Sequence, residues 1–217
     1  MTSSCDQDVS IPGRPSLPST LVRVSAEIDV TLSEVNVEVI VLNGGSSSGK
    51  SSIASCLQEQ LEETWLTLGV DDLIRALSHG PTDTTAGGSI HFDSDGSVSV
   101  GEVFHQAEAA WYQGVAAIAR AGAAVIADEV FLDGGRSQAR LAAALQGLAV
   151  VWVGVRCHPD VAEARGIQRG NRIRGQARDQ ARRVHQGVRY DLVVDTTRSA
   201  SSQCAGTIVE WLTRTDS

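Results

Sequence analysis

The most constraining feature of the sequence is a short apolar run followed by a loop of glycines and serines and then by a segment compatible with a helix. The loop carries the pattern G-x-x-x-x-G-K-[ST], whose fixed residues are Gly44, Gly49, Lys50 and Ser51. Between a strand and a helix, this pattern is typical of a phosphate-binding loop, in which backbone N–H groups and a helix N-terminus surround an anion. The chain is therefore predicted to bind a nucleoside triphosphate.

Within such a loop the lysine reaches the outer phosphates, and the hydroxyl that follows it ligates Mg²⁺. We therefore predict that Lys50 contacts phosphate and that Ser51 contacts the metal. The predicted phosphate-binding residues are Gly44, Gly45, Ser46, Ser47, Ser48, Gly49, Lys50, Ser51 and Ser52. A flexible Gly/Ser linker is the alternative interpretation, but the strand before the loop and the helical spacing after it both disfavour that alternative.

Length, charge and cysteine content restrict the class of protein. A chain of 217 residues suits one α/β domain, and its formal net charge of −8 argues against a nucleic-acid partner. No apolar run approaches the roughly 20 residues of a membrane span. The four cysteines are scattered without a C-x-x-C pair, which is typical of reduced thiols in a cytoplasmic protein. We expect a cytoplasmic protein without nucleic-acid or membrane partners.

Alternating strand and helix signals follow the loop and predict a parallel sheet of five strands with helices on both faces. We predict residues 1–35 to be a disordered or arm-like extension and residues 36–217 to form the P-loop domain. A short helix is expected at Leu73–Leu77, after a strand that ends near Val70. Asp95-Gly96, which lies between Ile90–Phe92 and Val98–Val100, predicts a β-hairpin. A longer helix is expected at Glu102–Ala121. Its predicted apolar face consists of Val103, Ala107, Ala110, Trp111, Val115 and Ile118.

Acidic residues follow two of the predicted strands, where the sites of open parallel sheets lie. Asp128 comes after an apolar run, as a carboxylate associated with Mg²⁺ does in P-loop enzymes, and Glu129 is the alternate residue for that role. Asp71 has two interpretations. It is either the N-cap of the short helix or the base that accepts a proton from an alcohol.

Four arginines are concentrated in one segment of this acidic protein, at Arg165, Arg169, Arg172 and Arg174. A solvated helix face is one interpretation of this cluster. The other is a lid whose guanidinium groups close over the phosphates and stabilise the charge that develops during transfer. We predict that Arg165 binds the nucleotide and that Arg169 and Arg172 are catalytic.

These motifs resemble the chloramphenicol 3-O-phosphotransferase family of antibiotic kinases, from about Val39 to Leu212. The phosphate loop is shared by many nucleotide-binding proteins, whereas Gly-Val-Asp-Asp-Leu-Ile and Val-Trp-Val-Gly-Val-Arg-Cys are far more specific. The stretches that carry the resemblance are Ile40–Ser51, Leu68–Ile74, Asp128–Leu132, Val151–Cys157, Arg169–Arg172 and Tyr190–Thr197.

The resemblance implies a three-layer, nucleoside-kinase-like α/β fold with strand order 2-3-1-4-5 and a helical lid. It implies ATP and Mg²⁺ as cofactors and an antibiotic's primary hydroxyl as the acceptor. The catalytic base of the family falls on Asp71, its phosphate loop on Gly44–Ser51, and its arginine lid on Arg165–Arg172.

We therefore expect a kinase that uses a small-molecule alcohol, with chloramphenicol as the leading acceptor and antibiotic resistance as the outcome. Another antibiotic or a metabolite alcohol is the runner-up. A hypothesis of a different class is a nucleotide-binding switch protein without a small-molecule acceptor. The sequence is compatible with a homo-oligomer.

Overall fold

A computed structural model describes residues 37–77, 90–92, 98–168 and 176–215. All of these belong to one contact-defined unit, Ser33–Ser217. The predicted extension at residues 1–35 lies outside the described residues. So do three of the four clustered arginines, Arg169, Arg172 and Arg174.

Strands and helices alternate along the described chain, and two short strands interrupt the alternation after the second helix. In chain order the elements are β1 (Val39–Asn43), α1 (Lys50–Gln60), β2 (Trp65–Gly69), α2 (Val70–Ala76), β3 (Ile90–Phe92), β4 (Val98–Val100), α3 (Glu102–Arg120), β5 (Ala124–Glu129), α4 (Gly135–Ala144), β6 (Val150–Arg156), α5 (Pro159–Gln168), α6 (Gln176–Arg183), β7 (Leu192–Asp195) and α7 (Ser201–Thr215).

The main sheet has five parallel strands in the order β2-β5-β1-β6-β7. When only these five strands are counted, the order reads 2-3-1-4-5. The third, fourth and fifth strands of the main sheet are labelled β5, β6 and β7 because β3 and β4 form a separate antiparallel pair. The Asp-Gly signal indicated that hairpin. The predicted parallel α/β fold with helices on both faces is confirmed.

The central strand β1 supplies side chains to two apolar layers, because successive residues of a strand point to opposite faces. Ile40 and Leu42 pack with residues of α1 and α7, including Leu57 and Ile208. On the other face Val39 and Val41 pack with residues of α3 and α4. Burial of a Val, Leu or Ile side chain contributes about 1.5–3 kcal/mol. These two layers hold the carboxyl ends of β1, β2 and β5 side by side.

A third, smaller apolar cluster lies beside the carboxyl ends of the strands. It joins Leu73 of α2, Ile90 and Val98 of the hairpin, and Phe104 at the start of α3. The hairpin thus packs against α2 and α3 and does not extend the main sheet. This cluster forms an apolar wall next to the phosphate loop.

Two local predictions are wrong. Helix α2 begins at Val70 rather than at Leu73, so the two aspartates belong to its first turn. In α3 the predicted apolar face is displaced, since Val103 is 54% exposed. The buried face of α3 instead consists of Phe104, Glu108, Tyr112, Val115, Ala116 and Ala119. The predicted face was wrong because the buried face of α3 contains a carboxylate, Glu108, among its apolar residues.

Among the described residues, no helix combines the length and the apolar composition that crossing a bilayer requires.

Candidate active site

The loop between β1 and α1 has the backbone conformation of an anion cradle. Ser47 and Gly49 have left-handed dihedrals, with φ values of 60° and 93°. A Cβ atom at Gly44 would lie 2.5 Å from the carbonyl oxygen of Val155, so glycine is required there. A left-handed serine is uncommon and marks a conformation that the surrounding structure imposes. The loop turns tightly at the N-terminus of α1, where an anion is favoured.

Three hydroxyl groups of this loop are buried without a hydrogen-bond partner among the described residues. They belong to Ser46, Ser47 and Ser48. Buried polar groups are nearly always hydrogen-bonded in folded proteins, so a cluster of unsatisfied hydroxyls indicates a missing partner. Phosphate oxygens accept hydrogen bonds from such groups. The residues present therefore fit the phosphates of a nucleotide.

Lys50 and Ser51 converge on the carboxylate of Asp128. The Lys50 Nζ atom, in a side chain only 7% exposed, lies 3.5 Å from Asp128 Oδ1. The Ser51 hydroxyl donates to Asp128 Oδ2 at 2.7 Å. Lys50 is also the only lysine in the sequence. The first helical turn after the loop and the end of β5 thus join a cation, a hydroxyl and a carboxylate.

No group of three or more metal-ligating side chains (His, Cys, Asp or Glu) occurs in the described part of the chain. A magnesium ion bound to phosphates needs only one or two protein ligands, because phosphates and water supply the others. Hydroxyl and carboxylate oxygens are suitable ligands for Mg²⁺. The adjacent oxygens of Ser51 and Asp128 therefore fit such an ion.

Glu129, the alternate residue for the metal, is directed away from the phosphate loop. Its side chain is 2% exposed and lies against α3, where the Tyr112 hydroxyl is 3.5 Å from Glu129 Oε2. Burial, and after it the charges of Asp128 and Glu108, raises the pKa of Glu129 well above its usual value. Glu129 is thus a buried side chain whose protonated form is favoured by its surroundings, and it is not a residue of the cavity wall.

Replacing Glu129 with glutamine should remove a pH-dependent loss of stability. Because the pKa is higher in the folded state than in the unfolded state, the folded state binds more protons above pH about 4.3. Wild-type stability should therefore fall as pH rises from that value through the raised pKa, by about 1.4 kcal/mol per unit of pKa difference. Urea denaturation at several pH values should show the variant gaining relative stability toward neutral pH. An equal loss of stability at every pH would contradict this assignment.

Asp71 lies in the first turn of α2 and lines the same cavity as the phosphate loop. The N-cap interpretation of Asp71 is wrong, because Gly69 occupies the N-cap position. The Asp72 carboxylate accepts the hydrogen bond from the Gly69 N–H at 2.8 Å. Gly69 is paired with Asp128 across β2 and β5. The capping function thus belongs to Asp72, and Asp71 remains at the carboxyl end of β2.

Buried amide side chains hold the phosphate loop against α6. The Asn43 amide donates to the Val184 carbonyl at 2.8 Å and to the Tyr190 hydroxyl at 2.6 Å. Gln180 Oε1 accepts from the Ser46 N–H at 2.9 Å. Burial, with smaller contributions from Arg156 and Lys50, lowers the pKa of His185, which contacts the Tyr190 hydroxyl, to about 4. This network is neutral at physiological pH and fixes the base of the loop.

Arg165 is beside the phosphate loop but does not line the cavity. Its guanidinium donates to the Thr196 carbonyl at 2.8 Å and to the Thr196 hydroxyl at 3.2 Å. That hydroxyl in turn donates to the Ser48 carbonyl at 2.6 Å. Arg165 therefore supports the loop through Thr196 in this conformation. The predicted catalytic arginines, Arg169 and Arg172, lie outside the described residues.

A cavity of about 720 Å³ extends from the phosphate loop to the hairpin. Ser46–Ser52 and Asp128 line one half, whereas Gly44 and Gly45, at the start of the loop, do not line the cavity. Asp71 lies at the other half. The apolar wall of that second half is formed by Ile74, Ile90, Val98, Val100, Phe104 and Leu132. A mostly apolar cavity with a few convergent polar groups is typical of a small-molecule site.

An ion-pair cluster in this second half was not predicted from the sequence. The Arg140 Nε donates to Glu108 Oε2 at 2.8 Å, and its Nη2 donates to Asp133 Oδ2 at 3.2 Å and to the Ser137 hydroxyl at 3.1 Å. Partial burial opposes the charge of Arg140, but its hydrogen bonds and the two carboxylates raise its pKa. The signal in the sequence is Glu108, which lies four residues from both Phe104 and Tyr112 on the buried face of α3.

A P-loop, a parallel sheet of this order and an acid facing the loop define the class of P-loop kinases. The family model for chloramphenicol phosphotransferase-like proteins matches residues 37–213. A Mycobacterium tuberculosis (strain ATCC 25618 / H37Rv) protein named "Putative O-phosphotransferase Rv2636" is 30% identical over 181 residues, which are 77% of this chain and 79% of the relative. The chain belongs to the chloramphenicol phosphotransferase-like family. It is a small-molecule kinase.

Solved structures of low sequence identity share the fold. Shikimate kinase from Acinetobacter baumannii, in complex with shikimate, has a TM-score of 0.55 at 17% identity, over 82% of this chain and 94% of the kinase. The tunicamycin resistance protein of Deinococcus radiodurans has a TM-score of 0.57 at 18% identity, over 81% of this chain and 95% of that protein. At these identities the likeness concerns the fold alone.

Proposed function

We propose that this chain transfers the γ-phosphate of ATP to the primary hydroxyl of a small-molecule antibiotic, with chloramphenicol as the leading acceptor. One observation carries the proposal. A single cavity is lined by the phosphate loop, by the hydrogen-bonded pair Ser51 and Asp128, and by Asp71. Transfer to an alcohol needs a phosphate site and a proton acceptor within reach of one another.

In the proposed reaction the loop residues Ser46–Ser52 bind the phosphates through N–H and hydroxyl groups. Lys50 offsets the charge that develops on the transferred phosphoryl group. Ser51 and Asp128 would hold Mg²⁺, directly or through water, and the ion would neutralise charge on the phosphate oxygens. Arg169 and Arg172 are proposed, from sequence alone, to contact the phosphoryl group from the lid. Arg165 would position the nucleotide from the side of Thr196.

Asp71 is the proposed general base. Its carboxylate would accept the proton of the acceptor hydroxyl as the alcohol oxygen attacks the γ-phosphorus. A bond then forms between that oxygen and phosphorus, the bond from the γ-phosphorus to the bridging oxygen breaks, and ADP leaves. A first-turn aspartate suits this role because its exposed side chain lines the cavity.

The acceptor half of the cavity suits an alcohol with an apolar body. Residues of α2, the hairpin and α3 form its apolar wall. Its charged groups are Asp71, Asp72 and Arg75 of α2 and the Glu108–Arg140–Asp133 cluster. Chloramphenicol, an uncharged aromatic alcohol, has these properties. The resemblance of the sequence motifs to antibiotic kinases supports the same acceptor. Another antibiotic or metabolite alcohol of similar character is the alternative.

Mass spectrometry of chloramphenicol incubated with the protein, ATP and Mg²⁺ tests this proposal. We expect a product heavier by one phosphoryl group, with the phosphate on the primary hydroxyl. Lys50→Ala is the control, and it should form no product. If wild-type protein binds ATP but leaves chloramphenicol unmodified, the acceptor proposal is wrong, and a panel of antibiotic alcohols then tests the alternative.

A further inference from the structure

The charges along the cavity are unusual for a site that transfers phosphate. Among the described lining residues every cation already has a carboxylate partner. Lys50 pairs with Asp128, Arg75 pairs with Asp72, and Arg140 pairs with both Glu108 and Asp133. The charged residues that line the cavity are Lys50, Asp71, Asp72, Arg75, Glu108, Asp128, Asp133 and Arg140.

Arg140 is the less exposed of the two arginines that line the cavity, at 34% against 75% for Arg75. An arginine in an acceptor site commonly binds a carboxylate or phosphate in a bidentate manner. Here the guanidinium is already engaged by two carboxylates, and Ser137 accepts a further hydrogen bond. Glu108 is 8% exposed, so its charge is held in place beneath the arginine rather than free to turn into solvent.

A further arginine contacts the hairpin, because the Arg183 Nη1 donates to the Val98 carbonyl at 3.3 Å. Arg183 also pairs with a carboxylate, that of Asp179 at 3.7 Å, and it does not line the cavity. An anionic acceptor would therefore lose its hydration without gaining an unpaired cation among the described residues that line the cavity, which is a costly change.

We infer that the Glu108–Arg140–Asp133 cluster determines specificity by admitting uncharged alcohols and rejecting anionic ones. Arg140, whose charge is offset on two sides, presents N–H groups to neutral oxygen acceptors, while the carboxylates repel a negative group. This inference rests on the proposed function and adds to it the charge class of the acceptor. Such discrimination arises from unfavourable contacts with the wrong ligand as much as from favourable contacts with the right one.

A matched pair of primary alcohols tests the inference, 4-(hydroxymethyl)benzamide and 4-(hydroxymethyl)benzoate, which differ mainly in charge. Wild-type protein should phosphorylate the amide with kcat/KM about tenfold higher than the carboxylate or more. Asp133→Asn removes one carboxylate from Arg140 and should reduce this ratio to about twofold, through a lower KM for the carboxylate. Glu108→Gln is a second variant with the same expected direction.

Asp160→Asn is the matched control. Arg178 also has two carboxylate partners, Asp160 at 2.5 Å and Glu163 at 2.8 Å, and this trio does not line the cavity. The control variant changes the net charge of the protein by the same amount, so it should leave the ratio at the wild-type value. A merely structural role of Asp133 would lower turnover of both alcohols equally and leave their ratio unchanged, and that result would overturn the inference.

The outcomes separate the inference from the proposed function. Equal use of the amide and the carboxylate by wild-type protein contradicts the inference and leaves the kinase function intact. If neither alcohol is phosphorylated while another alcohol is, both are titrated as competitive inhibitors against that alcohol, and the same ratio is read from their inhibition constants. If no alcohol in the panel accepts phosphate, the proposed function fails, and the inference fails with it.

Discussion

Asp71→Asn should abolish phosphate transfer, with kcat lower by about 10²–10⁴-fold, while the nucleotide still binds. Asparagine has nearly the same size as aspartate but cannot accept the proton of the attacking hydroxyl. The helix should persist, because the cap of α2 is provided by Asp72 and not by Asp71. Phosphorylated product is measured by mass spectrometry, and nucleotide affinity by calorimetric titration.

Asp72→Asn is the control for this prediction. It removes the same charge one residue further along α2 and keeps a side chain that can cap the helix. We expect this variant to retain most of the wild-type kcat. Full turnover by Asp71→Asn would exclude Asp71 as the base, and a similar loss in both variants would indicate a structural effect on α2 instead.

Lys50→Ala should show the second large effect, a loss of about 10²–10³-fold in kcat together with weaker nucleotide binding. The lysine carries the one cationic side chain that the described phosphate loop contains, and its side chain is nearly buried against Asp128. Its removal leaves the Asp128 carboxylate without its cation and next to the incoming phosphates, which is unfavourable for both.

The single lysine of the sequence permits a direct check on nucleotide binding. An amine-reactive reagent can modify only Lys50 and the N-terminal amine. We expect ATP with Mg²⁺ to protect Lys50 and not the N-terminus, as followed by peptide mass spectrometry. Unchanged modification of Lys50 at saturating ATP would contradict its placement at the phosphates. Wild-type transfer rates in Lys50→Ala would contradict its catalytic role.

Much of the fold is predictable because its signals are local. The apolar run of β1, the glycines of the loop and the helical spacing of α1 all lie within about twenty consecutive residues and agree with one another. The order of the strands followed from the resemblance to a known family and is reproduced when the five strands of the main sheet are counted alone. The antiparallel pairing of β3 with β4 was also predicted from a short stretch, the Asp-Gly signal in the sequence between them.

One wrong prediction concerns an interaction between residues that are distant in the chain. The predicted apolar face of α3 did not include Glu108, because a buried carboxylate is unfavourable unless it is paired. Its partner, Arg140, is 32 residues away. Asp71 was considered a helix cap because the start of α2 was placed three residues too late. The capping bond from Gly69 to Asp72 decides that boundary, and it requires the strand pairing of β2 with β5.

The choice between Asp128 and Glu129 as the residue for the metal also depended on the direction in which each side chain of β5 points. Asp128 and Glu129 are adjacent in sequence, yet one contacts Ser51 and the other packs beside Tyr112. Consecutive side chains of β5 point to opposite faces of the sheet, but the sequence does not tell which face carries the phosphate loop. The contact with Ser51 is the reason that Asp128, and not Glu129, is proposed for the metal site.

The measurement that tests the central claim most directly is the rate of ADP formation with and without an added alcohol. A small-molecule kinase should consume ATP slowly alone and at least tenfold faster with its acceptor, with one phosphorylated alcohol formed per ADP. We expect chloramphenicol, or another uncharged alcohol of the panel, to give this stimulation. ADP formation that no alcohol accelerates, at any concentration tested, would contradict the kinase function and favour a nucleotide-hydrolysing switch.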